Sequence, residues 1–230
     1  MRLHRPAAER GHADHGWLRT WHSFSFADYH DPAWQGFHNL RVLNEDVVAP
    51  GTGFGMHPHR DMEIVTWILA GALRHRDSLG HEAVIRPGEA QRMSAGSGIL
   101  HSETNPSATE PVHLLQIWLL PSRRGGTPGY EQRPLPAAAD GWRLLAAPPA
   151  GGGAVTIQSE ARIWVVEPAQ GALPARPWSG RPTWVHVSAG AVQVNGEILQ
   201  AGDGLGLAGE DSLLLTGETR KNQLLVFELA

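Results

Sequence analysis

The chain contains no cysteine. Disulfides and thiolate metal sites are therefore excluded, and any metal centre must be built from imidazole and carboxylate. Lysine is nearly missing as well: Lys221 stands alone, and the other basic residues are arginines. With a net charge of -4 there is no basic signature for nucleic acid, so no direct contact with DNA or RNA is expected. No apolar run approaches the roughly 20 residues that span a bilayer. The opening MRLHRPAAERGHADHGW also lacks the apolar stretch of a signal peptide. These absences predict a cytoplasmic protein with no membrane partner. Long amphipathic helical patterns are missing too.

Turn formers are abundant. The sequence has 27 glycines and 17 prolines, spread between short apolar runs. That rhythm reads as many short strands joined by tight turns, an all-β protein. Its 230 residues allow two domains, each of about 100 to 120 residues. The second half repeats the first in outline. WILAGALRHRDSLGHEAVIRPGEAQRMSAG (67–96) matches WVHVSAGAVQVNGEILQAGDGLGLAG (184–209), with Gly71, Gly80 and Gly88 against Gly190, Gly196 and Gly202. Two copies of one β-unit follow. We divide the chain at 1–132, a linker at 133–141, and 142–230, with the Pro/Gly/Ala-rich stretch 121–141 as linker or crossover. The strand in VHLLQIWLLP is apolar on both faces and should be covered on both.

Chemistry concentrates in GFGMHPHRDMEIV. Side chains alternate between faces with period two along a strand, so His57, His59, Asp61 and Glu63 should share one face. Imidazoles two residues apart start about 6.6 Å apart and can converge on one ion. GILHSETN supplies a second pair, His101 and Glu103. If it lies antiparallel beside the first, three imidazoles and one carboxylate surround a point. Glu63 is the competing carboxylate, about 13 Å beyond His59 along an extended strand. It reaches the same ion only if the strand bends, so geometry favours Glu103. Glu63 and Asp61 then stand behind the ligands, with Arg92 as a partner for Glu63. His75, His81 and His113 read as surface or cavity lining, His113 at the apolar end of a barrel. The lone His186 of the second copy reads as structural. HSFSFADYHDP is a candidate cover for a barrel mouth.

These motifs resemble a known family. GTGFGMHPHRDME is similar to the first cupin motif and GILHSETN to the end of the second. SFSFADYHDP, LRVLNED, GFGMHPHRDMEIVTW, QRMSAGSGILHSE and VHLLQIW together resemble the pirins over most of residues 20–130. The C-terminal half is similar to that of bacterial pirin-like quercetin dioxygenases. The resemblance implies a bicupin of two tandem jelly-roll-like barrels, with one metal per chain in the N-terminal barrel. It implies the ligands His57, His59, His101 and Glu103. The glutamate that many other cupins use in the first motif corresponds to Glu63, and the second barrel is expected to lack ligands.

The implied activity is a quercetin 2,3-dioxygenase type of reaction on a flavonol or related phenolic, with dioxygen as co-substrate. Glu103 would also take the substrate proton. Fe(II) is the first candidate, although imidazole and carboxylate accept Zn, Ni, Cu, Co and Mn as well. The alternative is a non-catalytic, redox-sensing regulator that binds a partner protein. A sugar-phosphate isomerase is disfavoured, because no phosphate-cradling glycine loop accompanies the histidines.

Overall fold

The computed structural model describes residues 1–137 and 140–230. Glycine turns cut the chain into short strands, as the composition predicts, and these assemble into two β-barrels in tandem. In the first barrel one wall is a seven-stranded sheet in the order Gly129–Pro134, Glu89–Ser94, Glu63–Ala70, Val112–Leu119, Leu40–Val48, Leu18–His22, Gly11–Asp14. The other wall is a four-stranded sheet in the order Gly53–His59, Ile99–Thr104, Leu73–Asp77, Glu82–Ile85. The second barrel pairs another seven-stranded sheet, centred on Thr183–Ala189 and Gln223–Glu228, with a four-stranded and a two-stranded sheet. This is the all-β bicupin implied by the resemblance. Among the described residues no helix is long and apolar enough to cross a membrane.

The internal repeat is visible in backbone angles. Gly71 and Gly190 have φ of 78° and 76°, Gly80 and Gly196 93° and 91°, and Gly88 and Gly202 86° and 90°. Positive φ at three matched turns is a conformation that favours glycine.

The two large sheets pack outer face to outer face. Leu43, Val65, Trp67, Leu115, Ile117 and Leu119 of the first barrel share one buried cluster with Leu145, Ile163, Val165, Trp184, Leu225 and Phe227 of the second. On the other face of Val112–Leu119, Val112 and Leu114 pack with Ile68 and Leu73. The strand is therefore covered on both sides, which its continuous apolar run predicts. His113 shares its face with Leu115 and Ile117, but it turns to Glu45 at 2.8 Å instead of lining a barrel end.

Two segments differ from the expected division. Arg2–Arg5 pairs with Gly204–Leu207, so the first residues complete the sheet of the second barrel. Gly129–Pro134 pairs with Glu89–Ser94, so the first barrel runs through Pro134 and the middle of 121–141 is strand. YEQR separates the prolines there with residues that can join a ladder. Within the expected linker 133–141, residues 138–139 lie outside the described residues.

Gly71 and Gly80 separate two effects. Both have positive φ, but a Cβ at Gly71 would also meet Pro111 O at 2.6 Å, whereas one at Gly80 meets nothing. A residue held in such a conformation costs about 1–3 kcal/mol. Gly71→Ala should therefore lower the melting temperature more than Gly80→Ala; equal shifts would remove the role assigned to the Pro111 contact.

Candidate metal centre

Strands Gly53–His59 and Ile99–Thr104 lie antiparallel, with His101 directly opposite His57 and Ile99 opposite His59. Period two then turns three imidazoles to one side. Their ring centroids are 4.8 Å apart for His57 and His59, 4.4 Å for His57 and His101, and 4.8 Å for His59 and His101. One ligating nitrogen from each lies within 4.8 Å of the others. The ladder shifts between His101 and Glu103, so Glu103 pairs with Phe54. Gly53 permits this approach: a Cβ there would meet Glu103 O at 2.2 Å. His57 Nδ1 is 2.7 Å from Gly55 O. Nδ1–H donates to that carbonyl and leaves Nε2 as the lone-pair nitrogen.

Glu103 is held from behind. Thr66 Oγ1 donates to Gln116 Oε1 at 2.9 Å, and Gln116 Nε2 donates to Glu103 Oε2 at 2.8 Å. Glu103 Oε1 and both ring nitrogens of His101 are buried without a partner. Burial pushes His101 down to about 2, with the neighbouring imidazoles adding to the effect. It also pushes His59 down to about 4. Burial lifts Glu103 to about 7, against the opposing hydrogen bond from Gln116. Neutral imidazoles are in their ligand form, and a buried carboxylate is compensated only by a cation or by donors. The orphaned atoms and the donor chemistry therefore fit one divalent ion.

The structure adds a histidine. His75, from Leu73–Asp77, is fully buried, pairs with Glu103 across the sheet, and stacks on Tyr130 at 4.5 Å. Its Nε2 is 3.1 Å from Asp77 Oδ2, and its Nδ1 has no partner. His75, His101 and Glu103 bring one ligand atom each within 4.8 Å of one another, so Glu103 sits on the His75 side of His101. His81 completes this group through Asp77, at 3.0 Å.

The polar face expected over 57–63 breaks at Asp61, whose φ is 51°. The first strand ends at His59, and Glu63 opens the strand Glu63–Ala70 in the other sheet. Glu63 Oε2 accepts from Ser94 Oγ at 2.8 Å and from the Gln158 backbone N–H at 2.9 Å, so it ties the first barrel to the second half. Asp61 accepts from the Gly125 N–H at 2.6 Å. Arg92 pairs with Glu131 at 3.1 Å and donates to Thr156 O at 2.7 Å, in place of the expected pairing with Glu63. None of the three makes a hydrogen bond to the histidine cluster.

His57, His59 and Glu103 open on a cavity of about 600 Å³. Trp17, Phe26, Phe54, Met56 and Trp118 supply its apolar wall. Phe26 comes from the SFSFADY segment and meets Trp118 edge-on at 5.3 Å, so this segment lines the cavity. The large sheet contributes the polar groups His22, Asn44 and Gln116, side by side on successive strands, with Thr66 beyond Gln116 on the next strand. Asp46 and Thr20 form the next rung. Burial pushes the Asp46 carboxyl up to about 7, with the Thr20 hydroxyl opposing. Asn44 and Asp46 were legible as two inward polar residues in LRVLNEDVV, but nothing in the sequence marks the cavity they face.

The model of the family described as pirin matches residues 3–119, and the model of the quercetinase C-terminal cupin domain matches residues 144–229. The chain belongs to the pirin family. This pirin is 43% identical to the quercetin 2,3-dioxygenase of Escherichia coli K12, over 98% of its own length and 97% of the relative's. Over that length it is an oxidoreductase of the dioxygenase class. The crystal structure of YhhW from Escherichia coli superposes with a TM-score of 0.95 at 42% identity, covering 100% of this chain and 98% of that one. The bacterial pirin YhhW in complex with nickel(II) gives 0.93 at 42% identity, covering 100% and 99%. A quercetin 2,3-dioxygenase of Acinetobacter baumannii shares the fold, with a TM-score of 0.79 at 22% identity, covering 99% of this chain and 79% of its own.

Three variants of this pirin separate the carboxylates. Glu103→Gln should lose bound metal, whereas Glu63→Gln should keep it and lower the melting temperature by loosening the Gln158 tie. Gln116→Leu should weaken metal affinity about 10–100-fold, as removal of a ligand's hydrogen-bonded support does. Metal titration with elemental analysis checks all three; a metal-free Glu63→Gln protein would reverse the assignment.

Proposed function

We propose that this pirin oxidatively cleaves a flavonol or a related phenolic at a mononuclear centre held by His57, His59, His101 and Glu103, with Fe(II) as the working ion. The observation that supports this most is the convergence of three imidazoles beside a buried carboxylate, with His57, His59 and Glu103 opening on an aromatic-walled cavity. Its volume of about 600 Å³ falls within the roughly 300–1,000 Å³ of small-molecule sites. The quercetin 2,3-dioxygenase name of the Escherichia coli relative points to the same substrate class.

The ion would supply positive charge that acidifies a phenolic hydroxyl and, being redox-active, a route for electrons to dioxygen. The chain's own groups do the rest. Trp17, Phe54 and Trp118 offer faces and edges to a flat ring system. Gln116 fixes Glu103 through Oε2 and leaves Oε1 free to take the substrate's hydroxyl proton. His57 is held to one tautomer by Gly55 O. Phe26 narrows the mouth against water.

Protein reconstituted anaerobically with Fe(II) should bind one ion per chain. Addition of quercetin and oxygen should then bleach its long-wavelength absorbance, with oxygen consumed and carbon monoxide released. Two stoichiometric ions would sink the single-site reading. Binding of quercetin without oxygen uptake would favour a regulatory protein.

A further inference from the structure

The cavity's large-sheet wall carries several polar side chains, and His22, Asn44 and Gln116 are committed. His22 Nδ1 and Asn44 Oδ1 are 2.8 Å apart and satisfy each other. Gln116 takes the Thr66 hydroxyl at one end and gives its amide to Glu103 at the other. Asp46 remains. It is 4% exposed, lines the cavity, and its Oδ1 is buried without any hydrogen-bond partner.

A carboxyl in that position is expensive unless something donates to it. The Thr20 hydroxyl, facing Asp46 from the neighbouring strand, gives the carboxyl one donor, but Oδ1 is left without one, and the backbone does not supply it. Leu40–Val48 is paired on both edges, with Leu18–His22 and with Val112–Leu119, so its neighbours' N–H groups are spent in ladders. The basic groups of the adjoining region point elsewhere. Arg10 pairs with Glu45 at 2.9 Å and His113 with Glu45 at 2.8 Å, and Glu45 projects to the opposite face of the same strand. Asp46 therefore has no cation beside it, yet it faces the space that opens on the metal ligands. Those ligands come from the four-stranded sheet and Asp46 from the seven-stranded one, so a molecule in the cavity touches both walls.

We propose that Asp46 is the substrate-recognition residue of this cavity: it accepts a hydrogen bond from a hydroxyl of the aromatic substrate other than the one directed at the metal. Protonated or ionised, a carboxyl retains an acceptor oxygen for this bond. The wall thus selects polyhydroxylated aromatics over those carrying only the chelating pair. A site built around a substrate hydroxyl discriminates against the analogue that lacks it, because the buried acceptor is then left bare. This deepens the proposed function and rests on it for the substrate class.

Quercetin and 3-hydroxyflavone separate the claims, since both carry the chelating 3-hydroxyl and 4-carbonyl but only quercetin has further hydroxyls. Equilibrium binding is measured on metal-loaded protein without oxygen, and metal content is determined alongside. Asp46→Leu should weaken quercetin binding about 10–100-fold, the range set by a hydrogen bond to a carboxylate. It should leave 3-hydroxyflavone binding and metal content unchanged. Asp46→Asn, which keeps shape and an acceptor oxygen, should fall between Asp46→Leu and the natural protein. Equal binding of the two flavonols by the natural protein, or equal losses for both in Asp46→Leu, would overturn the role of Asp46. Discrimination that follows Asp46 while oxygen uptake is absent would overturn the dioxygenase reading and leave the recognition role standing. Failure to bind either flavonol would remove both.

Discussion

The antiparallel pairing of Gly53–His59 with Ile99–Thr104 is the constraint on which the centre depends. It places His101 opposite His57, and the period of two then aims His59 to the same side. The register shift after His101 is part of the design, because it re-aims Glu103 while Gly53 makes room for the displaced backbone. A one-residue slip would send every one of these side chains to the other face. The four-stranded sheet therefore brings the three imidazoles together by backbone hydrogen bonding alone.

The seven-stranded sheet answers that sheet with polarity. A barrel interior filled only with Leu and Val would leave Glu103 without a donor. Here Thr66 and Gln116 form a short relay that ends on Glu103. Both come from strands whose opposite faces are buried in the contact between barrels, including Val65, Trp67, Leu115 and Ile117. Each strand therefore serves the cavity with one face and the inter-barrel core with the other. A shift in the packing of Leu115 or Ile117 would move Gln116, which lies between them.

Much of this was legible in the sequence, and the losses have physical causes. Spacing of two is a direct statement about strand faces, and it brings His57, His59 and His101 together, while Glu103 lies within reach of His101 and His75. The extension of that face to Asp61 and Glu63 failed because Asp61 adopts a left-handed conformation without being a glycine, so no turn signal announced the change of sheet. His75 was read as surface or cavity lining, because alternation with arginines in LRHRD does not by itself say which face is buried. The strand's burial alternates, with Leu73, His75 and Asp77 inward and the arginines outward. The strand Arg2–Arg5 carries no apolar period at all; it joins the second barrel through backbone hydrogen bonds, which leave no compositional trace. The duplication was legible because tight turns need glycine at fixed places.

The second barrel supports the first through more than burial. Gly204 and Gly206 leave space that the rings of Trp184 and Phe37 fill, so Phe37 of the first half packs directly on the second barrel's sheet. Arg2–Arg5 is anchored on the same sheet, and its last residue reaches back. Arg5 is 2% exposed; its guanidinium lies 4.6 Å over Trp34 and donates to Tyr29 Oη at 2.6 Å. Tyr29 in turn stacks on His22 at 6.1 Å, and His22 lines the cavity. Tyr29 and Trp34 follow closely after Phe26, which lines the cavity. The segment beside the cavity is thus held by an arginine whose strand belongs to the other barrel. The second barrel thus does two things for the first: it buries the outer face of the large sheet and, through Arg5, holds a segment that lines the cavity.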